Sequence, residues 1–518
     1  MRRREFVLGS FSLATLAGVA TDATLNTDRA LAADRAKPPA AGGDSVPFDG
    51  STVRRIAREL AQSPYKQPND PLPADLADLS YDVYRAIRFR PEVALWREQG
   101  LPFQVQFFHR GFLFNDRVRI HEVAEGRARL LRYSSNQFTF GDTPAPEPDA
   151  DLGYAGFRLH SRINRDDYFD EVAVFLGASY FRSVAKGQVF GLSARGLSLN
   201  TADPKGEEFP AFRSFWLERP TPGTDSIVVH ALLDSQSTTA AFRFTIRPGE
   251  TTVTDIELAL YPRTRIERPG LGTLTSMFYF DAHDRNGIDD FRPAVHDSGG
   301  LAIHTGHGER LWRPLTNPRD LQVSGFADPN VRGFGLVQRD RDFASYEDLE
   351  AIYERRPSAW VEPIGDWGEG QVLLYEIPTH NEYNDNIVAF WRPKEPLEAK
   401  REYIYVYRLH WTGRDPNSPG LASFVHSRQG ADDKRRLFVL DATGEPLAKL
   451  PPGTEVRGEV LADKGKVVDV VTQPNPHTGG WRLSFYLDPE KANAVDLRAR
   501  LLHEEQVLSE TWIYRWTP

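Results

Sequence analysis

Short apolar runs, separated by Gly and Pro, are the sequence feature that most constrains the fold of this chain. Residues 103–108, 240–246 and 252–258 are examples, and each is rich in β-branched or aromatic side chains. Such runs, bounded by turn residues, are typical of β-strands. The pattern predicts an all-β protein. Because run 103–108 alternates polar and apolar residues, we expect its sheet to be solvated on one face.

Helical spacing of apolar residues is found in few places. Residues 53–61 carry apolar side chains at intervals of three and four, which predicts a short helix. Ser345 and Asp348 resemble a capping box ahead of Leu349, and Pro357 would end the helix that follows. We therefore expect two short helices among many strands.

The length of the chain indicates more than one domain. Its 518 residues exceed the roughly 250–300 residues at which a single core usually stops growing. A charged, proline-marked stretch predicts a linker at 394–400, between a large domain at 49–393 and a small one at 401–518. Short strands recur at close spacing in the second domain, which favours an immunoglobulin-like sandwich.

The first residues are typical of an export signal. Met1 is followed by three arginines, then by a moderately apolar stretch, and Ala30-Leu-Ala32 offers small residues for cleavage. We predict a twin-arginine signal at 1–32, a flexible arm at 33–48, and a mature protein in the periplasm. The apolar stretch is shorter than the ~20 residues that a membrane span requires, so the mature chain is expected to have no span.

Composition limits the chemistry that the chain can perform. It contains no cysteine, which excludes thiolate metal sites and a cysteine nucleophile. Its formal net charge is −9, which disfavours nucleic acids and anionic membrane surfaces as partners. A neutral ligand would be indifferent to this charge.

An acidic connection at 376–386 stands between the apolar runs 372–375 and 387–391. It carries Glu376, Glu382 and Asp385, together with asparagine and tyrosine side chains. Carboxylates that a loop presents on a rigid sheet suit glycoside chemistry, in which one protonates the leaving oxygen and another assists a water. A solvated acidic hairpin is the alternative interpretation, and the pattern alone leaves it open.

Several long motifs are distributed along the chain. They include Tyr154-Ala-Gly-Phe-Arg-Leu-His160, Phe175-Leu-Gly-Ala-Ser-Tyr-Phe-Arg182, Gly187-Gln-Val-Phe-Gly-Leu-Ser-Ala-Arg195, Gly206-Glu-Glu-Phe-Pro210, and residues 81–89, 335–343 and 376–393. These motifs resemble the periplasmic glucan biosynthesis proteins of the OpgG/OpgD (MdoG/MdoD) family. The resemblance covers nearly the whole mature chain, and the twin-arginine signal is more similar to the OpgD branch.

The resemblance implies both a fold and an activity. The fold would be a large galactose-mutarotase-like β-sandwich followed by a small immunoglobulin-like β-sandwich. The activity would be endo-acting hydrolysis of β-1,2-glucan with inversion. Two alternatives stay open: a transglycosylase that branches or cyclises the glucan, and a non-catalytic glucan-binding scaffold protein. No metal or cofactor is implied, and a homodimer remains open as an assembly.

The same resemblance assigns the catalytic pair. The general acid would be Asp385, between two asparagines, and the general base would be Asp297, in the stretch Arg292-Pro-Ala-Val-His-Asp-Ser298. A turn-capping role is the alternative for Asp297. If Asp297 is not the base, Glu382 and Asp342 are the next candidates.

Further side chains are candidates for contact with the glucan. Buried ion pairing is an equal alternative for the charged pair at 339 and 342, and core packing is the commoner role of large aromatic residues. The candidate binding residues are Glu382, Asn384, Tyr353, Arg339, Asp342, Trp360 and Trp367.

Overall fold

The computed structural model describes residues 41–148, 150–285, 287–414 and 420–518. The signal at 1–32, and residues 33–40 of the arm, lie outside the described residues. The rest of the arm, Ala41–Pro47, forms a strand that pairs antiparallel with Arg127–Leu131. None of the described helices is long or apolar enough to cross a membrane.

Strands dominate the described part of the chain, and the all-β prediction is confirmed. The helices are short: α1 (Thr52–Leu60), α2 (Ala74–Ala77), α3 (Tyr81–Ala86) and α4 (Glu445–Ala448). The first strands, in chain order, are β1 (Ala41–Pro47), β2 (Arg88–Phe89), β3 (Phe103–Phe108), β4 (Arg119–Ala124), β5 (Arg127–Leu131), β6 (Phe138–Thr139), β7 (Gly156–Ser161), β8 (Asp170–Leu176), β9 (Tyr180–Ser183), β10 (Ser193–Arg195), β11 (Ser198–Leu199), β12 (Ala211–Glu218), β13 (Ile227–Asp234), β14 (Thr238–Arg247), β15 (Thr251–Pro262) and β16 (Pro269–Ser276). The remaining strands are β17 (Phe278–Phe280), β18 (Val295–His296), β19 (Gly300–His304), β20 (Arg310–Pro314), β21 (Gln322–Asp328), β22 (Gly333–Val337), β23 (Ser358–Ile364), β24 (Gly370–Glu376), β25 (Ile387–Pro393), β26 (Tyr403–Thr412), β27 (Ser423–Asp432), β28 (Arg435–Thr443), β29 (Arg457–Ala462), β30 (Lys466–Asn475), β31 (Gly480–Asp488), β32 (Val495–His503), β33 (Gln506–Val507) and β34 (Thr511–Trp516).

Two compact units divide the chain. The N-terminal unit comprises the described residues up to Thr273 and the return segment Glu395–Trp411, and the C-terminal unit comprises Leu274–Lys394 and the described residues from Thr412 onward. Contacts in the structure therefore group residues 274–393 with the C-terminal part of the chain. The domain limits expected from the sequence, 49–393 and 401–518, stay a prediction about independently folding parts.

The N-terminal unit is a β-sandwich with an aromatic core. One sheet has the order β1-β5-β4-β12-β13-β14-β15-β26, and the facing sheet contains β3-β7-β8-β9-β10. Rings from the two sheets meet: Phe157 lies 4.9 Å from Phe215, and Phe175 lies 5.3 Å from Phe244, centroid to centroid. Edge-to-face ring pairs of this kind add stability beyond the area that they bury.

The strand and helix predictions for this unit are largely confirmed. Strands β3, β14 and β15 contain the predicted runs, and α1 lies where apolar spacing predicted a helix. The expectation of a solvated face on β3 is wrong, since Gln104 and Gln106 are both buried. The segment around Leu95 also bridges β3 at Val105, opposite the edge that pairs with β7, so β3 is an interior strand with neighbours on both edges.

The C-terminal unit contains three main sheets. Their orders are β23-β22-β19-β20-β34-β32-β29, β27-β28-β31-β30 and β21-β24-β25, and β17 pairs separately with β18. The first two sheets share one core, in which Phe438 packs 5.9 Å from Trp512 and Trp360 is also buried. The immunoglobulin-like strands after residue 420 therefore share their core with strands from 300–361.

The prediction of a helix that begins near Ser345 is wrong. This segment forms 3-10 turns at Phe343–Ser345 and Tyr353–Arg355 instead. Glu347 and Ile352 have positive φ angles of 53° and 50°, which an α-helix cannot accommodate. The Asp348 carboxylate accepts hydrogen bonds from the amides of Glu350 and Ala351, so the side chain expected to support a helix stabilises a turn.

Candidate active site

The acidic connection between β24 and β25 is anchored at its first residue. Glu376 is fully buried, and its carboxylate accepts hydrogen bonds from the amide and hydroxyl of Thr316, at 2.7 and 2.9 Å. Arg313 donates to the same carboxylate at 3.0 Å. A buried carboxylate satisfied in this way holds the end of a strand in place, so Glu376 is a structural member of the connection.

Asn386 anchors the other end of the connection. Its side chain accepts a hydrogen bond from the amide of Phe278 at 2.8 Å and donates to the carbonyl of Phe278 at 3.0 Å. It also donates to the carbonyl of Ile377, and its own amide donates to Ser276. These bonds fix the residue beside it, Asp385, whose side chain is buried.

Asp297 is fixed to the same short segment. It follows strand β18, in which His296 pairs with Phe278, and its amide donates to the carbonyl of Met277 at 2.8 Å. Residues 276–278 therefore hold the backbone of Asp297 and the residue next to Asp385. Two segments separated by nearly ninety positions in sequence are thus held by the same three residues.

Asp297 forms an ion pair in the protein interior that balances its negative charge. Arg356 donates to its carboxylate, and the two side chains are 7% and 3% exposed, respectively. Burial lowers the pKa of Arg356, but Asp297, together with Tyr353 and Asp348, outweighs burial and the net pKa is raised. The guanidinium also lies 4.3 Å from the ring centroid of Tyr353 and donates to the carbonyl of Ala351. Asp297 is thus held as a carboxylate with a fixed orientation.

A second guanidinium joins the acidic connection to the segment before Asp297. Arg292 contacts Asp290 at 2.8 Å, Asp348 at 2.7 Å and Glu382 at 2.7 Å. The hydrogen bond with Asp290 and the other two carboxylates raise the pKa of Arg292 well above its usual range. We call Arg292 and these three carboxylates the Arg292 cluster.

Tyr353 connects the two ion systems. Its hydroxyl donates to Glu382 at 3.1 Å, while its ring lies against Arg356. Burial raises the pKa of Tyr353, so the hydroxyl stays protonated and acts as a donor at neutral pH. A continuous set of contacts therefore runs from Arg292 through Glu382, Tyr353 and Arg356 to Asp297.

The chain matches one protein family over most of its length. Residues 48–516 match the family described as "Periplasmic glucan biosynthesis protein, MdoG". The chain belongs to this family. A role in periplasmic glucan biosynthesis follows from that membership.

Its relatives are similar along nearly their whole length. The chain is 61% identical over 470 residues to "Glucans biosynthesis protein G" of Rhodopseudomonas palustris strain BisA53, covering 91% of this chain and 93% of the relative. It is 53% identical to the protein of that name in Bradyrhizobium diazoefficiens, with both chains fully covered. The protein of that name in Vibrio cholerae O395 is 47% identical, with 99% of this chain and 96% of the relative covered.

The structure places the other MdoG-family binding candidates in different surroundings. Glu382 and Asn384 lie half-buried in the acidic connection, and Asp342 is exposed. The rings of Tyr353, Trp360 and Trp367 are 2%, 6% and 6% exposed, so their faces are covered by protein. Their contact with a glucan stays a prediction.

Arg339 occupies an internal ion pair. It binds Glu510 through two hydrogen bonds of 2.6 and 2.8 Å and the carbonyl of Phe424, and its guanidinium lies over the ring of Trp312. This is the ion-network alternative that the sequence left open, and contact of Arg339 with sugar stays a prediction.

Sequence reasoning missed the two arginines that organise the site. Arg292 lies in the stretch 292–298 on which the assignment of Asp297 rests, so the same motif could have indicated Arg292 as a site residue. Arg356 pairs with a residue 59 positions away, and no spacing rule reveals such a pair. Among the described residues, no group of three or more His, Asp or Glu side chains is placed to hold a metal ion.

Proposed function

We propose that this protein is an endo-acting hydrolase of β-1,2-glucan that works with inversion, with Asp385 as general acid and Asp297 as general base. The observation that carries the proposal is that residues 276–278 hold the backbone of Asp297 and hold Asn386, the neighbour of Asp385. Inverting glycosidases need two carboxyl groups on opposite sides of the scissile bond, with room for a water between them. The tethers to residues 276–278 fix the backbone of Asp297 and the neighbour of Asp385, as a pair of catalytic groups requires.

The ion pair supports the division of labour between the two aspartates. Arg356 holds Asp297 in one orientation as a carboxylate, the form that a base must have before it accepts a proton from water, directly or through a relay. The general acid gives a proton to the leaving oxygen, and the family resemblance assigns that role to Asp385. Two carboxyl groups in different environments are a recurrent solution for acid and base roles in glycoside cleavage.

Incubation of the purified mature protein with linear β-1,2-glucan tests the proposal. We expect shorter oligosaccharides, measured by chromatography and mass spectrometry, and loss of about 10²–10⁴ of the rate in Asp385→Asn and Asp297→Asn. Asp433→Asn is the matched control, because it makes the same change at an exposed position of the C-terminal unit.

Each alternative function gives a different result in the same incubation. Branched or cyclic products formed without an increase in the number of reducing ends would identify a transglycosylase. Binding without any new product would identify a scaffold protein and overturn the proposal.

Two finer proposals rest on the sequence alone. We propose export through the twin-arginine pathway and membership of the OpgD branch, both motivated by the arginines after Met1. Replacing Arg2, Arg3 and Arg4 by lysine should leave the precursor in the cytoplasm. Export that continues unchanged would contradict the assignment.

A further inference from the structure

Three large apolar side chains beside the candidate site are exposed to solvent. Phe291, Leu349 and Tyr383 are 78%, 85% and 63% exposed, respectively. Each is the sequence neighbour of a member of the Arg292 cluster: Phe291 precedes Arg292, Leu349 follows Asp348, and Tyr383 follows Glu382. We call these three side chains the collar.

The Arg292 cluster holds the collar together. Adjacent Cα atoms are about 3.8 Å apart, and Arg292 contacts Asp348 and Glu382 at 2.7 Å each. The three segments that carry the collar therefore meet at one guanidinium. The ring of Phe291 itself lies 5.9 Å from this guanidinium.

The segments that carry the collar are fixed by hydrogen bonds. The Asp348 carboxylate accepts hydrogen bonds from the amides of Glu350 and Ala351, and Glu382 accepts one from the hydroxyl of Tyr353. Exposed apolar groups on an ordered surface cost solvation energy, and clusters of them mark binding sites. The nearby aromatic residues Tyr346 and Tyr353 are buried, so the exposure of the collar is not a property of the whole region.

The chemistry around the collar fits a pyranose ring. Such a ring has apolar faces made of C–H groups and a rim of hydroxyls. Aromatic rings can cover the faces, and the carboxylates and guanidinium of the cluster can bind the hydroxyls. Tyr383 stands two residues before Asp385, so the collar is continuous with the proposed acid.

We propose that Phe291, Leu349 and Tyr383 bind the apolar faces of glucosyl units of the glucan chain, next to Asp385. This inference rests on the proposed function, since it takes the substrate class from there. It assigns to exposed residues the stacking role that the sequence suggested for Tyr353, Trp360 and Trp367.

Binding to an inactive protein tests the collar. The parent is the Asp385→Asn variant, and its affinity for linear β-1,2-glucooligosaccharides is measured by calorimetry. We expect Phe291→Ala and Tyr383→Ala each to weaken binding about 3- to 10-fold, with conservative Phe291→Tyr close to the parent. Tyr168→Ala is the matched control, because this ring is 57% exposed in the N-terminal unit.

The possible outcomes separate this proposal from the proposed function. If the parent binds glucan and both alanine variants bind within two-fold of it, the collar proposal is overturned while the substrate stands. If the parent binds no glucan, the substrate class is wrong and the collar proposal falls with it. If the alanine variants change the molar mass measured by light scattering and keep their glucan affinity, the collar is a self-association surface and the proposal is again overturned.

Discussion

The buried ion pair between Asp297 and Arg356 gives a quantitative test of the site. Replacing Arg356 by methionine removes the partner of a carboxylate that is only 3% exposed. Breaking such a pair from one side costs about 3–5 kcal/mol. The same change removes the hydrogen bond to Ala351 and the stacking on Tyr353, each about 1 kcal/mol. We expect a loss of about 5–7 kcal/mol in the free energy of unfolding of the C-terminal unit.

A double-mutant cycle separates the pair from its surroundings. Asp297→Asn keeps an oxygen that can accept from Arg356 but removes the counter-charge, and should cost about 2 kcal/mol. With Arg356 already replaced, the same Asp297→Asn change removes a buried charge that has lost this guanidinium, so it should stabilise the unit rather than cost about 2 kcal/mol. We therefore expect a coupling energy of more than about 2 kcal/mol between the two positions.

Urea denaturation, with hydrogen exchange of peptides covering residues 290–300, measures these energies. Arg319→Met is the control, since it makes the same change at an exposed position of the same unit and should stay within about 0.5 kcal/mol of wild type. If the effects of the two substitutions are additive within 0.5 kcal/mol, Arg356 does not neutralise Asp297. The assignment of Asp297 as a base held in its charged form would then be wrong.

Three other substitutions test separate parts of the structure. Asn386→Ala removes the side-chain partner of the amide and carbonyl of Phe278, so we expect a loss of about 2–4 kcal/mol in the free energy of unfolding, measured by hydrogen exchange. The product assay should show hydrolysis at least about 10-fold slower. Unchanged hydrogen exchange would contradict the role of Asn386 as an anchor. Burial raises the pKa of Asp340 to about 6, so ionisation of Asp340 destabilises the fold as pH rises from about 4 through 6. In urea titrations, Asp340→Asn should be about 2 kcal/mol more stable than wild type at pH 7.5 and equal to it near pH 4. Equal stability of the two proteins at both pH values would refute this. Arg339→Met should cost about 3–5 kcal/mol through Glu510 in the same titrations; loss of glucan binding at unchanged stability would instead support a sugar contact.

Local sequence patterns predicted the elements that local energetics decide. The runs in β3, β14 and β15 and the helix α1 follow from side-chain periodicity. The prediction of a helix after Ser345 is wrong because Glu347 and Ile352 adopt positive φ angles, which a capping pattern does not reveal.

The site could be predicted only in part. The family resemblance assigned roles to Asp297 and Asp385. The ion pairs of Arg292 and Arg356 could not be predicted, because they depend on which strands meet in the fold. Residue type suggested Trp360 as a stacking side chain, but burial is a tertiary property and its ring lies in the core. Exposed Phe291 was not considered, because its exposure depends on the ordered turns around the Arg292 cluster.

The stereochemistry of the first product tests the central claim most directly. Proton NMR during the first minutes of β-1,2-glucan cleavage distinguishes the anomers of the new reducing ends before they equilibrate. Inversion by Asp385 and Asp297 predicts that the α-anomer appears first, and that Asp385→Asn releases almost none of it. The β-anomer as first product, or cleavage by Asp385→Asn within a few-fold of wild type, would contradict the account.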